Sequence, residues 1–369
     1  MTWVFTPANA LTVKRWAEKG SRDGERKLLW APMMYGDNPN AMRNPGYNKL
    51  VRGAIEVITD FQGKTGDRVT IPNVRVVEGR GVHNDAILRG SGAPQALDSM
   101  DVYFENVAHQ VLSGGKLSER RIALDFRRTV RRSLTDWYHR KVEESIILAL
   151  WGLTSWYRGT NTTPQNYGPL RNFNNSGETH SMLNAIQAFD SDHIMYAGDA
   201  TSDATLDSSD VMSAQLITKM ETKAMEDLDI PLEPLMTEDG EECFGLVLSN
   251  KQLEDLSYDE DFVRRNTQVV PRDGNPLTKR AIGKYSNTYI IPYAKCLQPI
   301  VNVTRAIFFG ANCLKFAKVD EMEFFEDFAD DAKRRVALSV GGAWGVAPAY
   351  FNSSRRNCIA VDTWTRAAA

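Results

Sequence analysis

The chain has 369 residues, 42% hydrophobic and 25% charged, with a formal net charge of -3. That is the composition of a soluble globular protein, with length for two or three domains or one large elongated one, and it excludes a grip on nucleic acid through overall basicity. The four cysteines, Cys243, Cys296, Cys313 and Cys358, lie far apart with no CxxC. They indicate reduced thiols in a cytosol rather than a disulfide scaffold or a Cys-rich zinc site. The opening MTWVFTPANALTVKRW lacks the basic-then-apolar plan of a signal peptide, and the most apolar run, Ile146–Leu153, is too short to span a membrane. Folding in a cytoplasm with no membrane partner is expected.

Residues 1–48 read as an arm. Their Pro-, Gly- and Asn-rich part carries Leu28, Leu29, Trp30, Met33 and Met34. Such a segment cannot build its own core, so these apolar residues are expected to lie on a neighbouring subunit. A helix fits Lys49–Phe61, with Leu50, Ala54, Val57, Ile58 and Phe61 on one side. Strand-like runs follow at Arg68–Val77 and Asp101–Leu112, separated by more than about 20 residues of Gly and polar character, well past the usual loop length. The pair predicts a projecting hairpin. An isolated ribbon is marginal in water, and a second subunit is the expected cover.

Ser118–Trp151 contains neither Pro nor Gly. Apolar residues recur at Ile122, Phe126, Val130, Leu134, Trp137, Val142, Ile146 and Leu150, close to the helical period, and Ser118 is a candidate N-cap. At about 1.5 Å per residue this helix is roughly 50 Å long, which predicts an extended subunit. Residues 154–209 read as an insertion with short elements, including a helix near Ser181–Phe189. A further helix is expected over Ser209–Asp227, capped by Ser209 or Asp210. From Pro231 strands and helices mix: a strand in ECFGLVLSN, a broken helix in KQLEDLSYDEDFVRRNTQV, a hairpin turning at Ser286-Asn287, and strands in RAIFFGANCLKFA, RRVALSVGGAWGVAPAYF and CIAVDTW. The order predicts an α+β fold rather than a doubly wound sheet.

Most motifs that could carry chemistry have a structural reading. SGGKLS at Ser113–Ser118 departs from the phosphate-loop pattern and reads as a turn feeding a helix. Gly79–Gly92 reads as a loop tip. His83, His109, His139, His180 and His193 lack zincin spacing. His180 and His193, with Asp190 and Asp192, are the one metal constellation to test, and the acidic run Asp190–Asp210 lacks the Gly and terminal Glu of a calcium loop. No nucleophile elbow appears, so neither catalysis nor a cofactor is expected. One charge pattern stands apart: Arg127, Arg128, Arg131 and Arg132 form two i,i+4 pairs on the long helix. Like charges at that spacing cost a few tenths of a kcal/mol unless offset. The offset is acidic groups of the same protein, a subunit contact, or phosphate.

The order of arm, helix, two-stranded loop, very long helix and mixed domain resembles the HK-97-type viral capsid fold. KTGDRVTIP, LSGGKLSERRIALDFRRTVRRSLTDWYHRKVEESIILALWG, LVLSNKQLEDLSYDEDFVRRNTQ, NPLTKRAIGKYSNTYII, RAIFFGANCLKFA and SVGGAWGVAPAYFNSSRRNCIAVDTW are similar to the major capsid protein family of N-four-like tailed phages. The resemblance covers most of Lys64–Trp364. It implies a 1–48 arm, a 49–65 peripheral-domain helix, a 66–112 extended loop and a 113–230 peripheral domain with its spine helix at 118–151. An axial domain over 231–345 and a 346–369 return to the peripheral domain complete the plan. It also implies pentamers and hexamers in an icosahedral shell around double-stranded DNA. Scaffolding, portal and decoration proteins would be the partners, and assembly would take place in the host cytoplasm. No Lys lies between Gly66 and Leu112, so a loop-lysine crosslink is not carried over. The rivals are an encapsulin-like bacterial compartment shell and a cytosolic metal-dependent enzyme.

Overall fold

The computed structural model describes residues 30, 33–36, 50–58, 68–74, 97–114, 126–153, 155–157, 165–166, 186–237, 241–266, 283–320, 322–328, 335–351 and 354–365. Its axis is α1 (Phe126–Trp151), a helix of 26 residues and so about 39 Å long. Leu134, Tyr138, Val142, Ile146 and Leu150 are buried at four-residue steps, and every residue from Ile146 to Trp151 is enclosed. The expected cap Ser118 and first turns lie outside the described residues. The helix stops at Gly152, whose φ is +63°, a conformation that glycine adopts without penalty. A Cβ there would also stand 2.7 Å from the Gln187 carbonyl oxygen.

A six-stranded sheet lies under α1. It contains β1 (Met34–Gly36), β3 (Ile55–Ile58), β6 (Glu105–Leu112), β15 (Leu314–Lys318), β16 (Glu323–Phe328) and β17 (Val336–Pro348). The long β17 organises it. One edge pairs with β6 from Ala337 to Trp344, and the other pairs first with β16 and then with β15. Gly342 lets α1 approach, because a Cβ would meet the Tyr138 hydroxyl at 2.5 Å. Trp344 stands edge-on to Tyr138 at 5.0 Å, and Trp137 stacks on His109 of β6 at 4.7 Å.

The eight-stranded sheet runs β12 (Gly283–Tyr285), β13 (Thr288–Pro292), β11 (Glu242–Leu248), β14 (Val303–Phe309), β20 (Cys358–Trp364), β9 (Ile194–Tyr196), with β10 (Leu235–Thr237) on β11 and β2 (Leu50–Arg52) on β10. Both its faces are covered, which is why its strands read as unbroken apolar runs. Phe244, Leu246, Phe308 and Val361 face α2 (Ala214–Thr222), α3 (Asn250–Tyr258) and α4 (Glu260–Asn266) in one core. Val247, Ile307, Phe309 and Ala360 face the core shared with the end of α1. The turn at Ser286-Asn287 and the break between α3 and α4 fall where the sequence places them.

Several expectations need correction. Residues 50–58 are two short strands, one in each sheet, rather than a helix. Val51, Ile55, Val57 and Ile58 are β-branched and pairing partners outweigh the helical spacing; Gly53-Ala54 between them lets the chain change sheets. The run 101–112 breaks at Phe104. Its first part belongs to β5 (Leu97–Tyr103), which pairs with β4 (Arg68–Val74) as the ribbon, while β6 joins β17. The ribbon base needs no neighbour: Val69, Met100 and Val102 pack on the chain's own Ala317, Ala347, Ala349 and Phe351. Nor do Trp30, Met33 and Met34 await one. Trp30 is 0% exposed and lies edge-on to Trp151, Tyr293 and Phe309 at 6.2–6.3 Å. Leu28, Leu29 and the loop tip lie outside the described residues.

The helix expected over 209–227 begins at Ala214 with Ser213 as cap and ends in a π-turn at Lys223–Asp227. Asp210 is buried and spends its carboxylate on the Asp207 amide instead. Residues 186–189 of the predicted 181–189 helix are irregular, and the rest of it lies outside the described residues. Strand pairing also cuts across the expected 231–345 and 346–369 division. β15, β16 and β17 join the α1 sheet, whereas β20 enters the middle of the other.

Candidate assembly surface and interlock of the long helix

The first half of α1 carries the four arginines, and the structure separates them into two rows. Arg127 and Arg131 turn toward β16, where Glu326 receives both: Arg127 Nη2 to Oε1 at 2.7 Å and Arg131 Nη2 to Oε2 at 3.4 Å. Glu326 points there because β16 alternates, with Phe324 buried and Phe325 exposed. One carboxylate thus offsets the repulsion of the first pair and ties helix to sheet. Such a partly exposed pair stabilises by no more than about 1 kcal/mol. Arg128 and Arg132, with Thr129 and Ser133, form the exposed row. Further along, Glu143 accepts from the Tyr293 hydroxyl at 2.8 Å and from Lys295 at 2.6 Å.

The C-terminal end of α1 is an interlock of buried charge. Arg355 is 0% exposed. It donates to the carbonyls of Ala149 at 2.7 Å, Leu150 at 2.8 Å and Gln187 at 3.0 Å, and lies 4.1 Å over the Phe189 ring. It satisfies carbonyls that a helix end leaves unpaired, at the negative pole of the helix dipole. Burial lowers its affinity for the proton, and that pole offsets the cost. Beside it Arg305 and Asp362 form a bidentate pair, Nε to Oδ1 at 2.8 Å and Nη2 to Oδ2 at 2.6 Å. The Trp151 indole donates to the Arg305 carbonyl at 2.9 Å. These contacts fasten the helix that spans one sheet to the middle of the other.

The sequence pointed to the arginine pairs but missed Glu326, Arg355 and the Arg305–Asp362 pair. EFFEDF does not alternate in polarity and gave no clean strand signal for β16, and nothing in SSRRNC distinguishes a buried arginine from a solvated one.

The metal constellation does not assemble from what is described. His193 is buried with Nδ1 3.6 Å from Asp190, and burial lowers its proton affinity; His180 lies outside the described residues. Among the described residues no group of three or more His, Cys, Asp or Glu is placed to hold a metal. No described helix is long and apolar enough to cross a membrane. Ser113 does not cradle phosphate: its hydroxyl accepts from the Val336 amide at 3.1 Å and extends the β6–β17 pairing.

A ribbon, a long helix laid on one sheet and a second sheet covered by short helices define an HK-97-type capsid subunit, a structural class rather than an enzyme. The family model for phage capsid protein matches residues 30–351, and the chain belongs to that family. It is 24% identical over 336 residues to the major capsid protein of Pseudomonas phage KPP25, covering 85% of this chain and 87% of the relative. The capsid of Ralstonia phage GP4 superposes with a TM-score of 0.70 at 23% identity, over 85% of this chain and 88% of that one. The cyanophage Pam1 capsid gives 0.68 at 18% identity over 92% of each. Membership in this family sets aside both the compartment-shell and the metal-enzyme alternatives.

Proposed function

We propose that many copies of this capsid protein close, as pentamers and hexamers, into an icosahedral shell around double-stranded phage DNA. Family membership over residues 30–351 carries this reading. Closed shells require one repeated set of interfaces whose rotations close. In the proposed division, α1 and the six-stranded sheet are the peripheral body, and the eight-stranded sheet with α2, α3 and α4 is the axial body around the symmetry axes. β20 is then axial, and the ribbon with the loop between β4 and β5 is the extended loop. Scaffolding, portal and decoration proteins are the expected partners, and assembly takes place in the host cytoplasm. Electron microscopy of the purified protein tests the reading. Closed shells or capsomers are expected; a strictly monomeric protein at high concentration overturns it.

The exposed row Arg128 and Arg132 is proposed as a contact for DNA phosphate or for a neighbouring subunit. Its exposure supports this, as does the distinct use of Arg127 and Arg131 on Glu326. Arg128→Glu with Arg132→Glu separates the two. Intact particles with reduced DNA indicate phosphate, failed assembly indicates a subunit contact, and normal yields of filled particles refute both.

A further inference from the structure

One face of the six-stranded sheet lies on α1; the other is covered along only half of β17. Residues directly opposite in an antiparallel pair point to the same side, and sides alternate along each strand. Gly342, His109 and Glu326 meet Tyr138, Trp137 and Arg127 of α1, so the odd-numbered residues of β17 point away from the helix. The second half of that odd row carries the ribbon. A Cβ on Gly345 would collide with the Tyr103 carbonyl, and Val69, Met100 and Val102 pack on Ala317 and Ala347. The first half consists of Ala337, Ser339 and Gly341. Opposite them stand Leu112, Gln110 and Ala108 of β6 on one side and Asp327, Phe325 and Glu323 of β16 on the other.

That first half is a bare floor between two large apolar side chains. Leu112 and Phe325 are 54% and 55% exposed and, among the described residues, belong to no apolar cluster of the chain. Between them the floor is Ala, Ser and Gly, the kind of surface on which the ribbon sits further along the same strand. Three strands at about 4.8 Å spacing and five residues at about 3.4 Å each make a patch of roughly 250 Å². A stable complex of two folded proteins buries about 800 Å² on each. The patch therefore suits an extended segment laid across the strands rather than a second globular surface. Glu323 and Asp327 are exposed at its margin, with Arg335 just before β17. A segment that joins large apolar residues to an excess of cations is the complementary one.

We propose that this face seats residues 1–29 of a second copy of the chain, an inference that rests on the shell reading for the presence of that copy. Residues 1–29 contain six Lys and Arg against three Asp and Glu, and the large apolar residues Trp3, Phe5, Leu11 and Trp16. Aromatic side chains fit a floor without bulk, and the excess cations come to lie beside Glu323 and Asp327. Residues 75–96, between β4 and β5, carry three Lys and Arg against two Asp and Glu and no aromatic residue but His83, which makes them the weaker match. The chain's own first residues start from the wrong place. Trp30 is buried edge-on to Trp151, at the far end of α1, whereas the bare floor lies behind the first half of that helix. In a lattice of repeated contacts, each subunit gives its segment to one neighbour and receives that of another.

Photo-crosslinking in particles assembled from the full-length chain tests this. A photoreactive benzoylphenylalanine replaces Phe325 or, separately, Leu112. Both side chains are exposed, so neither replacement disturbs the core. Particles are formed from an equal mixture of isotope-labelled and unlabelled subunits, irradiated, digested and read by mass spectrometry. Both positions should capture peptides from 1–29, with labelled-to-unlabelled pairs as frequent as random partnering gives. The same group at Ser133, exposed on α1, should capture none of that segment. Capture of 1–29 only within one chain, capture of residues 75–96 or of another protein in its place, no capture at either position, or equal capture at Ser133 overturns the seat and leaves the shell intact. A chain that forms no particles overturns the shell reading and the seat with it.

Discussion

Arg355→Met tests whether buried charge or apolar packing secures the end of α1. The substitution keeps length and apolar bulk but removes every donor to three carbonyls, those of Ala149, Leu150 and Gln187. Each buried acceptor left unpaired costs about 1–3 kcal/mol, and the lost stacking on Phe189 adds about 1 kcal/mol. Relief from burying a guanidinium offsets part of the total. The net loss should be about 3 kcal/mol, a factor of about 100 in local opening. Native-state hydrogen exchange over 144–151 reads it directly, since those amides form the last turns of the helix. Opening should rise by about 100-fold there and far less at β15 or β16. Protection over 144–151 within about threefold of wild type would show that the apolar contacts of Trp151 and Ile147 suffice and that Arg355 is not what closes the helix.

Other outcomes follow from the same geometry. Glu326→Gln should cost about 0.5–1 kcal/mol in urea unfolding at low salt, and the difference should fade near 1 M salt, where the screening length is about 3 Å. Gly342→Ala places a methyl group against the Tyr138 ring and should cost about 1–3 kcal/mol in thermal unfolding; adding Tyr138→Phe, which removes the nearest atom, should recover part. Trp30→Ala should cost about 3–5 kcal/mol even in unassembled subunits, which distinguishes a core residue from one that waits for a neighbour. Cys243, Cys313 and Cys358 are fully enclosed, and burial pushes the Cys243 thiol up to about 12 and also raises Cys313 and Cys358. Mass spectrometry should find all three unalkylated in folded protein at pH 8 and modified in urea.

Legibility followed how local the physical cause was. The long helix was readable because its apolar stripe repeats over many turns, and β11, β13, β14 and β20 because both faces are buried and the runs are unbroken. The break between α3 and α4 and the Ser286-Asn287 turn were readable from turn chemistry. Residues 50–58 were not, because Leu50, Ala54, Val57 and Ile58 satisfy a helical template and only distant strands overrule it. Trp30 and Met33 sit in a Pro- and Asn-rich context that signals exposure, yet the cavity they fill is built by residues more than about a hundred positions away. The arginine pairs were visible as an anomaly. Glu326, which answers half of it, is 195 residues from Arg131, and no spacing rule connects them.

The place of β20 bears on how a subunit is made. Residues 358–364 lie between β14 and β9, pairing with one antiparallel and the other in parallel. A ribosome that has released residue 350 has exposed every other described strand of that sheet, yet β9 has nothing to pair with and the apolar edge of β14 is open. Closing such distant contacts is the slow part of folding. A nascent chain therefore cannot present a finished surface to its neighbours until this late strand emerges. A chain cut short before residue 358 would be a holdase or protease substrate rather than a defective tile, so the order of translation itself screens what enters the lattice.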